Sequence, residues 1–101
     1  MIGEHIRILR ERENLLLREL AAILEIDPAM LSKMERGVRF FRKEDLEVLS
    51  KALNEERETL NTMWLADKIL KTSKDEKYQV KALELALFNC KKQNTTLANK
   101  S

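Results

Sequence analysis

Glycine and proline are nearly missing from this chain, which holds two of the first and one of the second in 101 residues. Folds rich in tight turns need both, because such turns require a positive or a fixed φ at set positions. An all-β fold is thereby excluded. Cysteine occurs once, at Cys90, which excludes an internal disulfide and fits a reducing cytoplasm. Histidine also occurs once, at His5, on the expected outer side of the first helix. One His and one Cys far apart in sequence cannot supply the ligands of a metal site. Nor do they make the nucleophile, base and orienting group of covalent catalysis. Neither an enzyme nor a cofactor nor a metal is therefore expected. No apolar run approaches the roughly 20 residues of a membrane helix, and the start lacks the apolar stretch of a signal peptide. Charge of one sign is scarce as well, since the net charge is only +2.

What is present is helical. Apolar residues make up 44% and charged residues 36%, the balance of a helical protein with one modest core. The chain is organised around LAAILEIDPAMLSKMERG, Leu20 to Gly37. Leu20, Ala21, Ile23 and Leu24 fall at helical spacing, and Leu31 and Met34 give the next segment a buried face. Asp27 can cap that segment, because its carboxylate accepts from first-turn amides. Pro28 then sits where its missing N–H costs nothing, and Gly37 is a C-terminal stop. A helix, a tight turn and a second helix make a helix-turn-helix unit.

Local charge sharpens this reading. From Pro28 to Lys43 there are five bases (Lys33, Arg36, Arg39, Arg42, Lys43) against one acid, Glu35. Basic residues thus concentrate on and after the second helix of the pair, where DNA phosphates would lie.

These residues resemble the lambda repressor/Cro helix-turn-helix proteins, a group of bacterial and phage DNA-binding regulators. Leu20-Ala21, Ile26, Leu31-Ser32 and Met34-Glu35-Arg36-Gly37 carry the resemblance, which runs from about Ile2 to Leu53. It implies an all-α fold: a five-helix lambda-repressor-like DNA-binding domain over residues 1–70, with an additional C-terminal helix. It also implies that Pro28, Ala29, Met30 and Lys33 face bases, that Ser32 contacts the backbone, and that Glu35 pairs with Arg10. Lys33 is the one long donor of the base-facing set. Arg36, Arg39, Arg42 and Lys43 are phosphate candidates, with Arg36 equally suited to solvent. The chain departs from the pattern at Leu16 and Leu17, where the family commonly has Thr or Ser and then Gln. The cap and a polar DNA contact are lost there. Arg18 could replace the phosphate contact, and Leu17 could face a partner.

The remaining elements follow from periodicity and caps. The first helix is expected over Ile2–Glu13, ended by Asn14 in a left-handed conformation, and the second over about Leu17–Leu24. The fourth is expected over about Lys43–Leu53 with Leu46, Leu49 and Leu53 inward. Between them, Phe40 and Phe41 are core plugs, or one packs on a sugar-phosphate backbone. Asn54 is read as the cap of a fifth helix carrying Leu60, Met63, Trp64 and Leu70. Ser73 to Glu76 matches a capping box, so a sixth helix should start there and run to about Lys92. From Ala82 to Cys90 only Glu84 and Asn89 are polar, and a helix apolar on so much of its surface needs cover on more than one side. A second copy is the economical cover, with Trp64, Leu83, Leu87 and Phe88 as dimerisation residues over a C-terminal helix at 71–92. Residues 93–101 are expected to form a flexible tail.

The expected function is a cytoplasmic, homodimeric, sequence-specific regulator of transcription, a repressor by type, acting on a near-palindromic double-stranded operator. Short helices after the head leave no room for an inducer-binding or self-cleaving domain. In size and architecture the chain resembles the autoregulating controllers of restriction–modification systems. Two alternatives stay open. One is an antitoxin whose C-terminal helix binds a second protein. The other is an interaction module that kept the fold but lost DNA binding.

Overall fold

Six stretches whose apolar residues recur every three or four positions form helices in the computed structural model, which describes residues 1–100, with side chains through Asn94. They are α1 (Ile2–Arg12), α2 (Leu17–Ile23), α3 (Pro28–Glu35), α4 (Asp45–Leu53), α5 (Arg57–Thr72) and α6 (Gln79–Lys100), and the described residues contain no strand. The chain divides into two compact units, Met1–Ile69 and a second that begins at Leu70.

The first unit has one core. Ile2, Ile6 and Leu9 of α1 meet Leu20 and Ala21 of α2, Leu31 and Met34 of α3, Leu46, Leu49 and Leu53 of α4, and Leu60 of α5. Each of the Ile, Leu and Met side chains contributes about 1.5–3 kcal/mol when taken out of water. Phe41 is a core plug, as expected, at 1% exposure, whereas Phe40 is only partly covered.

Helix ends are set by left-handed residues. Asn14 (φ 57), Glu25 (φ 57) and Gly37 (φ 80) follow α1, α2 and α3. Each closes a paired stop in which its own amide and the next one donate to carbonyls of the helix's last turns. At α3 these are Gly37 N to Met34 O, 3.1 Å, and Val38 N to Lys33 O, 2.9 Å. Asn54 is a correction: it stands at φ 53 and ends α4 instead of capping α5. Its short amide side chain suits both roles, and the left-handed backbone selects the stop. The capping box at Ser73 does not form either. Asp75 turns the chain at φ 64, Ser73 Oγ accepts from Gln79 Nε2 at 3.0 Å, and α6 starts only at Gln79. That helix continues to Lys100, past the boundary expected near Lys92, because the intervening residues include no glycine or proline to break it. The expected tail thus falls within α6 up to Lys100, and Ser101 lies outside the described residues.

Three contacts fix the first turn of α1. Gly3 lies so close to the end of α3 that an added Cβ would stand 2.3 Å from the Met34 carbonyl oxygen and 2.6 Å from that of Glu35. The Ile2 amide donates to Asp67 Oδ2 of α5 at 2.9 Å, so a distant carboxylate caps α1. His5, expected on the outer side, is half-buried, with Nε2 2.9 Å from Glu55 Oε2.

Candidate nucleic-acid interface

The Asp27 carboxylate accepts from the Ala29 amide at 2.7 Å, with Pro28 in the first turn. This cap and the Gly37 stop bound α3 as the sequence chemistry requires. The core side of α3 is Leu31, Met34 and Glu35. Its outer side presents Pro28, Ala29, Lys33 and Arg36, with Ser32 half-exposed. Met30 differs from the outward placement expected of it: it is partly buried and packs against the core.

Glu35 is 7% exposed and holds α3 to α1. Arg10 Nε donates to Glu35 Oε2 at 2.8 Å, a second guanidinium nitrogen reaches Oε1 at 3.2 Å, and the third donates to the Leu15 carbonyl at 2.9 Å. The guanidinium is thereby locked in its charged form: the hydrogen bond to Glu35 raises its pKa most, against desolvation. This is the pairing that the resemblance implied. It ties the outer face of α3 to a rigid support.

The basic residues divide. Lys33, Arg39, Lys43 and, on α2, Arg18 are exposed. Arg36 turns back on its own helix, donating from Nε to the Ser32 carbonyl at 3.3 Å, and lines a depression with Glu4, Arg7 and Glu35. Arg42 is held by Asp45, which is 2% exposed. Asp45 accepts from the Arg42 amide at 2.9 Å and from two guanidinium nitrogens at 2.9 and 3.3 Å. That pairing raises the Arg42 pKa, with Glu44 and Glu25 adding to it, so this cation already faces acids of its own chain. Nothing in the spacing of the sequence singles out Asp45, because its burial depends on how α4 docks.

The same device starts α2. Leu16 has no cap atom to offer, but Glu19 Oε1 accepts from the Leu16 amide at 2.8 Å, the acid half of a capping box. The cap lost at Leu16 is thus half replaced. Leu17 packs against the core while Leu16 is exposed.

Behind the basic loop stands Trp64. Its Nε1 donates to the Phe41 carbonyl at 2.7 Å, and Lys68 Nζ sits 4.2 Å from its ring centroid and 5.9 Å from that of Phe40. Trp64 therefore anchors α5 to the loop that carries Arg39 and Arg42. It belongs to the first unit, whereas Leu83, Leu87 and Phe88, named with it for dimerisation, belong to the second. There Leu83 is half-buried, and Leu87 and Phe88 are exposed.

Among the described residues no group of three or more His, Cys, Asp or Glu is arranged to hold a metal ion, and no helix is long and apolar enough to cross a membrane. The family model of a helix-turn-helix domain matches residues 2–63, from the start of α1 into α5. No curated protein and no solved structure matches the chain.

Proposed function

The chain belongs to the helix-turn-helix domain family, and from that premise we propose that it is a cytoplasmic, sequence-specific DNA-binding regulator of transcription, and not an enzyme. The observation that carries this reading is the outer face of α3. Pro28, Ala29 and Lys33 stand exposed near its capped start, on a helix pinned from behind by Arg10 and Glu35.

In this reading α3 enters the major groove. Lys33 donates to a guanine edge, a contact worth about 1–3 kcal/mol of discrimination. Ala29 offers apolar contact to a thymine methyl, and Met30 acts from the rim of the core. Arg39, Lys43 and Arg18 bind phosphates. Arg42 and Arg36 contribute less, since one is paired with Asp45 and the other folds onto Ser32. So few polar base contacts leave part of the specificity to DNA shape.

The arrangement we favour is the lambda repressor/Cro type, five helices with an added C-terminal helix. Two copies place their α3 helices in successive major grooves, about 34–36 Å apart, on a near-palindromic operator. The most economical biological setting is an autoregulating repressor in a bacterium, such as a restriction–modification controller. The exposed apolar residues Val80 and Leu87 of α6 favour a protein partner there, which a second copy fills.

The test is binding of the purified protein to DNA just upstream of its own gene, over a salt series and against random competitor. Competitor-resistant binding with two footprints one helical turn apart supports the reading. Binding that vanishes by moderate salt, shows no preferred site and is untouched by Lys33→Ala overturns it. A second protein on α6 would then become the leading account.

A further inference from the structure

α6 carries two apolar stripes on opposite sides, at about 100° of rotation per residue. One holds Val80, Leu83, Leu87 and Cys90, then Asn94, at alternating steps of three and four residues. The other holds Leu85 and Phe88, with Tyr78 just ahead of the helix, and is interrupted by Lys81 and Lys92. Only the first stripe is free of charge. Its flanks are Gln79, Ala86 and Gln93 on one side and Glu84 and Lys91 on the other. Val80 and Leu87 are 65% and 55% exposed, so the first stripe is largely uncovered by its own chain.

We propose that this stripe pairs with the same stripe of a second copy as a parallel two-stranded coiled coil, with Val80, Leu87 and Asn94 at the a positions and Leu83 and Cys90 at d. The inference rests on the homodimer reading above and specifies how that dimer is made. The geometry of the stripe selects a second copy as the occupant. The three-four spacing is that of a coiled-coil seam, and it matches itself across a two-fold axis.

Flank chemistry is compatible with this pairing. In parallel register Gln79 meets Glu84 and Ala86 meets Lys91 across the seam, so no like charges face each other. Asn94 sets the direction. A lone Asn at an a position pairs with its counterpart in a parallel dimer and fixes register and strand number. An antiparallel seam would set its amide against Leu83 and leave it only the weak Cys90 Sγ acceptor of its own helix, at 3.9 Å. Phe88, grouped with Leu83 and Leu87 on composition, thus falls outside the seam.

Sedimentation equilibrium and cross-linking test the proposal. Leu87→Lys should weaken dimerisation about 100-fold or more, because it buries an unpaired charge, while Leu85→Lys leaves it unchanged. With Cys90→Ser as background, Leu83→Cys places a thiol at a d position. A short bis-maleimide should link two copies there, each thiol adding across one maleimide double bond. In an antiparallel dimer the two thiols would be too far apart to link. Trp64 fluorescence reports whether the head of each variant is folded. A dimer that survives Leu87→Lys, or that leaves Leu83→Cys unlinked, overturns the coiled coil while the homodimer stands. A wild-type chain that is monomeric throughout overturns both.

Discussion

Replacing Gly3 with alanine tests the geometry on which the outer face of α3 depends. The added Cβ would stand 2.3 Å from one backbone oxygen and 2.6 Å from another, where ordinary contact begins at 3.4 Å. Neither oxygen belongs to a side chain that could swing aside. α1 must therefore back away from α3 by about 1 Å, and a gap of that size forfeits a quarter to a half of the dispersion well of each contact it opens. Overpacking of this kind costs about 1–3 kcal/mol, and backbone on the receiving side puts it at the upper end. Alanine returns up to about 1 kcal/mol through its better helix propensity. The net is a destabilisation of about 2 kcal/mol, or a Tm lower by roughly 8–16 °C for a domain of this size. Thermal unfolding followed by circular dichroism measures it. Gly37→Ala is the control, since open space surrounds Gly37 and only its φ of +80° opposes a side chain; its cost should be about 1–2 kcal/mol. A Gly3→Ala protein with a Tm equal to or above wild type would refute the close approach.

Other consequences can be read by the same unfolding assay. Arg10→Ala strands the buried Glu35 carboxylate and should cost about 3–5 kcal/mol, whereas Arg10→Met with Glu35→Leu should recover most of it; a single variant costing under about 1 kcal/mol would sink the idea of a buried, load-sharing pair. Glu25→Gly removes a left-handed side chain from the turn between α2 and α3 and should raise stability by about 1 kcal/mol, so a lower Tm would count against it. Hydrogen bonding to His5, then to the Glu56 amide, holds the Glu55 carboxyl below the usual carboxylate range. A depressed carboxylate stabilises the fold above its unfolded pKa, and that share is lost as pH falls through the folded value. Glu55→Gln should therefore lower Tm near neutrality, with the gap to wild type closing in acid; a gap that does not shrink contradicts the linkage.

What the sequence made legible was whatever local chemistry decides. Asp27, Pro28 and Gly37 bound α3 because a cap, a first-turn proline and a left-handed glycine each act within a few residues. Asn14 ends α1 for the same reason. Asn54 shows the limit, since one residue type serves both helix starts and helix stops, and only the backbone it joins decides between them. Ser73 shows another: the spacing of a capping box was present, but Asp75 reverses the chain inside it. Glu25 carries no signal at all, because glutamate has no preference for positive φ and the turn is imposed by the packing of α2 and α3. In the candidate site, Lys33 and Arg39 were readable as outward bases. The pairing of Arg42 with Asp45 was not, because it depends on the docking of α4. Gly3 was readable in principle, as a glycine tolerated inside a helix is a sign of close approach.

The bond from Asp67 to the Ile2 amide joins residues 65 positions apart. Helix starts ordinarily fray, since their first amides lack partners within the helix. Here an α5 carboxylate supplies one such partner, so release of α5 loosens the first turn of α1 as well. Solvent exchange at that amide thus follows the undocking of α5 and not local fraying. The two outermost helices of the head then open as one cooperative unit, although the family match ends at residue 63, before Asp67. A head cut at the family boundary would retain every residue of α3 and still lose the clasp that keeps α1, and through Gly3 the end of α3, in place.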